Sequence, residues 1–348
     1  IGPESSLAVG TADVLEDMGI PTIGPKKKLA ELETSKSFMR LLMDKYNIPG
    51  NPSYQIFHDA GRLKTSLAAR SDDYVIKPDG LTGGKGVKIF GEHIYSFDEA
   101  YEYCESLFIG GHSAIVIEER LRGQEFTLQS FSDGIHVMDT PVARDYKRAY
   151  EGDTGPNTGS MGSYSCENHL LPFLRPRHVQ RAHAINRKAI EAIQEECDAP
   201  YRGVLYGSYM LVGEELYVIE FNARFADPEG INVLALLESD FLSVCDAIIS
   251  GTLGPRQLRF SRKATVCKYV VPKGYGTDVV VRGPTIKVPD RTIDHNARYY
   301  FGSVFPLFDK RCVLYGGSRA IACLGIGKNL EEAECIAEAA ATQIEGPV

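Results

Sequence analysis

Lys77 and Lys85 belong to a stretch with the makings of an anion site. Residues Asp79-Gly80-Leu81-Thr82-Gly83-Gly84-Lys85-Gly86-Val87 carry four glycines in the seven positions from 80 to 86. Glycines let the backbone approach a ligand closely and turn N–H groups toward it, and lysines beside such a loop suit phosphate oxygens. A glycine hairpin with solvated lysines would look the same locally. A second group lies far downstream. Glu220 and Asn222 stand two apart in a β-type run, so their side chains share one face of a strand. Two oxygen donors beside a phosphate site are what Mg²⁺ bridging phosphates needs. Arg224 stays in phase with them as long as the strand persists. Alone, the trio is better read as a solvated polar face with Arg224 paired to Glu220. In the same chain as Lys77 and Lys85, it points to phosphate and metal.

The elements that must position these groups can be read from periodicity. Tyr74 to Pro78 is a β-type run leading into the glycine loop, and Val87 to Phe90 leads out. The loop is therefore expected between two strands, unlike a P-loop, which opens a helix and ends in Gly-Lys-Ser/Thr. Upstream, Ser5 to Met18 has helical spacing, ended by Gly19, with a short strand and turn from Ile20 to Pro25. Such a unit needs a parallel sheet to dock on, so we expect residues 1–34 to be the remnant of a larger N-terminal domain. Thr34 or Ser35 can cap a helix that places Phe38, Leu41, Leu42 and Tyr46 on one face. Strand, helix and strand follow (53–57, 61–69, 74–78), then a helix near 97–107 and an apolar strand from Ser113 to Ile117 running into Glu118 and Glu119. A hairpin turning at Asp133-Gly134 is expected next. The run from Asp153 to Gly162 lacks periodicity and reads as a long loop, a kind that is often functional. A long helix spans about 175–196, and two strands cover 203–212 and 215–220. Residues 251–260 read as a linker. The segment 261–348 is β-rich, closed by a helix from Leu330 to Gln343, and is expected to act as a cover. The expected organisation is thus 1–34, 35–250 and 251–348.

Composition narrows the function. The chain has 348 residues, 43% hydrophobic and 24% charged, with a formal net charge of −8. No basic tract interleaved with aromatics suggests nucleic acid. No apolar run is long enough to span a bilayer. Anionic ligands must be held by local cations or metal ions, since the overall field is negative. The eight cysteines are scattered without a CxxC pair, as expected of reduced thiols in a cytoplasmic protein, and the eight histidines show no HExxH spacing.

In these blocks the chain resembles the ATP-grasp enzymes and, among them, the glycinamide ribonucleotide synthetase (phosphoribosylamine–glycine ligase) family of purine biosynthesis. The blocks that carry the resemblance are Gly2-Pro3-Glu4, Ser35-Lys36-Ser37-Phe38, Lys77-Pro78-Asp79-Gly80-Leu81 with Gly84-Lys85-Gly86-Val87, Ile117-Glu118-Glu119 with Gly123-Gln124-Glu125, Asp153-Thr154-Gly155-Pro156-Asn157-Thr158-Gly159-Ser160-Met161-Gly162, and Ile219 to Glu229. They keep the family's order over nearly the whole chain, and Gly155-Pro156-Asn157 separates this ligase from its ATP-grasp relatives. The chain departs from the family at Ser160, where a glycine is usual, and at Ala226-Asp227-Pro228-Glu229-Gly230-Ile231. The family also has a Rossmann-like strand and glycine turn upstream and a short basic segment downstream.

The resemblance implies an α/β (α+β) ATP-grasp fold that ligates glycine to 5-phosphoribosylamine through glycyl phosphate, using ATP with Mg²⁺ or Mn²⁺. No protein nucleophile is required, so catalysis rests on positioning and charge neutralisation. The implied ATP residues are Lys77, Gly83, Gly84, Lys85, Gly86, Glu118, Glu119, Leu121 and Glu125, the last on the ribose. The implied metal ligands are Glu220 and Asn222. Arg224 would stabilise the acyl phosphate, with Lys85 as the other catalytic group. Lys147, Arg148, Asp153, Gly155, Pro156, Asn157, Thr158, Gly159 and Arg224 would face the two substrates. The sequence leaves the oligomeric state open, a monomer included. Two other readings share these residues: an ATP-grasp ligase for another carboxylate, such as formate or bicarbonate, and a nucleotide-binding module of a longer purine-pathway protein.

Overall fold

A computed structural model describes residues 3–70, 73–82, 86–152, 154–277, 280, 282–289, 294–307 and 311–348. The helix expected from Ser5 to Met18 is two short ones, α1 (Glu4–Ala8) and α2 (Thr11–Asp17), broken where Gly10 takes φ +84°. Residues 20–25 form no strand, and their Gly24 N–H bonds Arg202 O at 3.1 Å. After α3 (Glu31–Thr34), Ser35 caps α4 (Lys36–Lys45) by accepting the Phe38 N–H at 3.1 Å. The inward face of α4 is Met39, Arg40, Leu42 and Met43, whereas Leu41, expected inside, is 55% exposed.

The next elements form a small α/β unit: β1 (Tyr54–Phe57), α5 (Ala60–Ala68), β2 (Tyr74–Pro78), β3 (Lys88–Ile89), α6 (Phe97–Ile109) and β4 (Ile115–Glu119). The strands make one antiparallel sheet in the order β1-β4-β2-β3. Leu63, Leu67, Ala100 and Cys104 of the two helices cover one face, against Tyr74, Ile76, Ile115 and Ile117. Strand alternation then turns Val75 and Lys77 to the other face. The glycine loop joins β2 to β3 across an antiparallel pair, as its sequence suggests.

The chain continues through β5 (Gln124–Asp133), β6 (Val137–Asp139), β7 (Arg144–Tyr150), β8 (Thr154–Ser165), α7 (Pro176–Cys197), β9 (Arg202–Val212) and β10 (Glu215–Asn222). The expected turn at Asp133-Gly134 is present, with Asp133 Oδ1 accepting the N–H groups of Ile135 (2.8 Å) and His136 (2.7 Å). A second antiparallel sheet runs β10-β9-β5-β6, and α7 lays Ile185, Ala189, Ile190 and Ile193 over its Phe126, Leu128, Leu205 and Tyr209. Most of the stretch expected as a long loop, 153–162, is instead part of β8. It pairs with β7 through register shifts near Arg148, which is why no alternating pattern shows in the sequence.

Two unforeseen helices, α8 (Glu229–Leu236) and α9 (Phe241–Ser250), precede β11 (Ala264–Val270), β12 (Thr285–Lys287), β13 (Ala297–Phe301), β14 (Val304–Pro306), β15 (Arg311–Leu314), β16 (Ile321–Gly327) and α10 (Leu330–Ala341). The third sheet, β13-β16-β11-β8-β7, joins the C-terminal strands directly to the β7–β8 hairpin, and β12-β15-β14 forms a small fourth sheet. No helix among the described residues is long and apolar enough to cross a membrane.

One buried ion cluster ties the first sheet to the second. Arg40 has no exposed surface and Glu118 only 3%. The guanidinium grips the Glu118 carboxylate with Nε at 2.7 Å and a terminal nitrogen at 2.9 Å, and also donates to the carbonyls of Val218 (3.0 Å) and Ile219 (2.9 Å) on β10. Burial alone would raise the Glu118 carboxyl, but Arg40 and then Lys77 hold it down at about 2. A depressed carboxyl stabilises the fold above its unfolded value, and that contribution disappears as pH falls through about 2. Arg40→Met would leave a buried carboxylate with one cation fewer. We expect it to cost about 3–5 kcal/mol, the usual price of orphaning one partner of a buried pair. Urea unfolding at pH 7 checks this, and a midpoint within error of wild type would show that Arg40 does not hold the junction.

Candidate active site

The two sheets and the β7–β8 hairpin enclose a cavity of about 830 Å³. Val75, Val87 and Ile89 line it from the first sheet, with Leu121 and Met210 also on its wall. An apolar slot of this kind suits a flat heteroaromatic ring. Glu119 and Leu121 lie where the chain crosses from β4 to β5. Gly123 is required at this crossing, because a Cβ there would stand 2.1 Å from the Leu211 carbonyl oxygen. Glu125 follows on β5 at the cavity wall.

Three lysines face the interior. Lys77 Nζ sits 2.7 Å from Glu118 Oε2, so the Glu118 side chain is engaged with cations and only its backbone is free to meet a ligand. Lys36, to which sequence reasoning gave no role, donates to the carbonyls of Pro78 (3.0 Å) and Gly80 (2.7 Å). The Asp79 carboxylate binds the start of α4 in return, accepting from the Lys36 N–H (2.6 Å), Ser35 Oγ (3.1 Å) and Ser37 Oγ. Burial would raise that carboxyl, but hydrogen bonds led by Ser37 hold it low. Lys147 lies 3.4 Å from Glu125, and this carboxylate outweighs burial to keep the ammonium well charged.

Glu220 and Asn222 stand side by side as expected, with Asn222 Nδ2 donating to Glu220 Oε1 at 3.1 Å. Burial would raise Glu220, but Lys147, the Asn222 hydrogen bond, Lys77 and Lys36 hold it ionised. One carboxylate and one amide oxygen on a shared face, open to a phosphate-sized space, fit a hard divalent cation that takes its remaining ligands from phosphate and water. Arg224 does not pair with Glu220. Since β10 ends at Asn222, the phase is lost, and Arg224 reaches Glu33 (3.0 Å) and Glu4 (3.4 Å) while still lining the cavity.

The hairpin supplies the remaining wall. Asn157, Thr158 and Gly159 line the cavity, whereas Gly155 and Pro156 sit nearer the turn, where Arg148 donates to the Gly155 carbonyl at 3.0 Å. Arg148 and Arg120 share the Glu92 carboxylate, linking hairpin to first sheet. Gly86 ends the glycine loop, its carbonyl accepting the Tyr103 hydroxyl at 2.7 Å. Gly83, Gly84, Lys85 and Asp153 lie outside the described residues. Ser160 has φ +109°, a region that favours glycine, and its hydroxyl accepts the Gly162 N–H at 3.0 Å.

Sequence reasoning missed Arg40, Glu33, Asp145 and Glu229. An arginine set between Met39 and Leu42 on an inward helix face is a signal that could have found Arg40. Asp145 shares the strand face of Lys147, a relation hidden while 144–148 read as the approach to a loop. Glu33 and Glu229 gave no local signal of burial.

Residues 34–230 match the family described as Phosphoribosylglycinamide synthetase, ATP-grasp (A) domain. The chain belongs to this family. Over its full length it is 47% identical to the phosphoribosylamine–glycine ligase of Methanococcus maripaludis, of which it spans 79%. It is 45% identical to that of Pyrococcus furiosus, spanning 77% of it. A crystal structure of phosphoribosylamine–glycine ligase from Thermotoga maritima superposes with a TM-score of 0.80 at 30% identity, covering 93% of this chain and 78% of that one. The matched ATP-grasp domain therefore contains α4 and β1–β10 and, with them, the three lysines, the Glu220–Asn222 pair and the hairpin described above.

Beside this site, burial raises the Glu33 carboxyl to about 7 despite Arg224. A raised carboxyl contributes stability that is complete below its unfolded value, near 4.5, and lost as pH rises through about 7. Wild type should therefore lose ground to Glu33→Gln between pH 5 and 8, by more than about 1 kcal/mol. Urea midpoints of both proteins across that range check it. A difference that stays flat with pH would mean that Glu33 is already ionised against Arg224.

Proposed function

We propose that this protein ligates glycine to 5-phosphoribosylamine at the expense of ATP, giving glycinamide ribonucleotide, ADP and phosphate. The observation that carries the chemistry is Glu220 beside Asn222, facing Lys36, Lys77 and Lys147 across a cavity with an apolar slot. Family membership supplies the substrates. A glycine carboxylate oxygen attacks the γ-phosphorus, and the bond to the β-bridging oxygen breaks to release ADP. The amine nitrogen of phosphoribosylamine then attacks the carbonyl carbon of glycyl phosphate. The C–O bond to phosphate breaks and the new amide nitrogen loses a proton. No step needs a protein nucleophile, and the demand is for alignment and stabilisation of charge.

The residues divide that work. Val75, Ile89, Leu121 and Met210 hold the adenine, whose edge meets the backbone of Glu118, Glu119 and Leu121. Glu125 accepts from the ribose. Lys77, Lys85 and the backbone of the glycine loop are assigned to the ATP phosphates, joined by Lys36 and by Lys147, which contacts Glu125 at 3.4 Å. Glu220 and Asn222 would hold Mg²⁺ or Mn²⁺, which when bound neutralises the β- and γ-phosphates. Arg224 faces the acyl phosphate. Arg148, Asp153 and the Gly155–Gly159 segment face phosphoribosylamine. We place the reaction in the cytoplasm, with small molecules as its partners.

Single-turnover phosphate release tests the assignment. We expect release to require glycine, and Glu220→Gln and Lys85→Ala each to slow it by about 10²-fold or more, the scale on which a lost electrostatic contact acts. Near-wild-type rates in either variant would remove that residue's role. Stimulation by formate or bicarbonate in place of glycine would reassign the substrate.

A further inference from the structure

Glu33 is buried where a neutral side chain would be less costly. Its side chain is 4% exposed within α3, and burial pushes the carboxyl up to about 7. Its two oxygens serve consecutive residues just past β10. Oε2 accepts the Ala223 N–H at 2.7 Å, and Oε1 meets a terminal nitrogen of Arg224 at 3.0 Å. The ladder with β9 stops at Asn222, so the Ala223 N–H needs an acceptor from elsewhere. A neutral amide oxygen would satisfy it without burying a charge. The contact that gains most from an anion is the second one, so the reason for a carboxylate lies at Arg224.

Arg224 has a competing anion within reach. Glu220 attracts its guanidinium along with Glu33 and Glu4. Had the strand continued, Arg224 would stand on the same face as Glu220 and Asn222. A pair between Arg224 and Glu220 would occupy the carboxylate that is otherwise open to a divalent cation. The observed partners draw the guanidinium the other way. Glu33 holds one terminal nitrogen, the other donates to the Phe225 carbonyl at 3.2 Å, and Glu4 lies 3.4 Å from Nε. Glu4 is partly exposed and its contact is long, so solvent screens it. Glu33 is nearly inaccessible, and its attraction is screened far less. It is also firmly mounted. Two and three residues further on, Ser35 Oγ and the Lys36 N–H donate to Asp79.

We propose that Glu33 is a positioning residue that keeps Arg224 off Glu220, so that the Glu220–Asn222 pair stays free for a divalent cation. The proposal rests on the reading of Glu220 and Asn222 as metal ligands and adds the residue that keeps them available. It acts through Arg224 and touches neither ligand. The charges at this end of the cavity are thus divided in two. Arg224 belongs to Glu33 and Glu4, whereas Glu220 is balanced by Lys147, Lys77 and Lys36. Without Glu33, Glu4 and Glu220 would still attract the guanidinium, and Glu220 lies inside the cavity, where attraction is stronger. An arginine on Glu220 would compete with a cation for the same oxygens.

Mn²⁺ binding to the full chain with ADP present tests this, read from the electron paramagnetic resonance of free Mn²⁺ and corrected against ADP alone. The measurement is made at pH 8, where Glu33 is ionised. Glu33→Gln is nearly isosteric and keeps an acceptor for Ala223. It should weaken Mn²⁺ about tenfold, the scale of one charge-assisted contact. Adding Arg224→Gln removes the competitor and should restore the affinity to within about twofold of wild type. Glu4→Gln should weaken Mn²⁺ by less than Glu33→Gln, with metal-free ADP affinity unchanged throughout as evidence that the fold stands. Unchanged Mn²⁺ affinity in Glu33→Gln overturns the proposal. So does a loss that persists in the double variant, since Glu33 would then act through the backbone at Ala223. Both results leave the metal reading intact. If Glu220→Gln binds Mn²⁺ as tightly as wild type, the metal reading fails and takes the proposal with it.

Discussion

The geometry of the nucleotide cleft follows from the cost of burying one carboxylate. Glu118 lies at the end of a strand that is inaccessible on both faces, and an isolated charge there would be prohibitively expensive. It is tolerable because Arg40 meets it with two hydrogen bonds and Lys77 with a third contact. The two cations come from different elements, α4 and β2. Arg40 also holds the carbonyls of Val218 and Ile219, the residues just before Glu220. The same ion cluster therefore sets where Lys77 stands and where the strand bearing Glu220 and Asn222 passes. A neutral core at this point could be more stable, as buried ion pairs often are no better than apolar packing. It would not fix both sides of the cleft from one centre.

Two further links bridge the cleft, and they differ in kind. Asp79 sits at the root of the glycine loop and binds the first turn of α4 through Lys36, Ser35 and Ser37. It joins the loop's base to the helix that carries Arg40, so the base is fixed by the same framework as the ion cluster. Glu92, shared by Arg120 and Arg148, lies at the rim and is partly exposed. Exposed pairs contribute little to stability and are screened by salt. The base and the rim of the cleft are therefore held by different kinds of contact, hydrogen bonds to the start of α4 at the base and a shared carboxylate at the rim.

The sequence was most informative where a residue's role follows from its own type and near neighbours. The glycine loop between two strands, the side-by-side Glu220 and Asn222, the cap at Ser35 and the turn at Asp133-Gly134 all depend on spacings of a few residues. It was least informative where tertiary contacts override the local pattern. The 154–162 segment lacks alternation because glycines, a positive φ at Ser160 and register shifts interrupt it, yet its backbone still completes a ladder with β7. Arg224 looked like a third member of the Glu220 face until the strand ended two residues early and Glu33, nearly two hundred residues away in sequence, took its charge. Buried ions such as Arg40 and Glu229 are hard to read for the same reason, because their partners come from other elements.

The cleft's charge balance explains how an acidic protein can hold a highly anionic ligand. Its lysines have oxygen partners: Glu118 for Lys77, Glu125 for Lys147, and the Pro78 and Gly80 carbonyls for Lys36. These contacts keep three ammonium groups close together without unrelieved repulsion and aim them at one space. An anionic ligand in this space would meet a field that is already oriented, and little reorganisation would oppose it. At the far wall Asp145 and Glu229 each keep one buried acceptor without a hydrogen-bond partner, and burial raises both carboxyls although the Lys147 charge lowers them. One cavity thus brings a cluster of lysines and an acidic wall together, with Tyr206 and Asn222 side by side at their border, so its net charge near neutral pH depends on how far burial keeps that wall protonated.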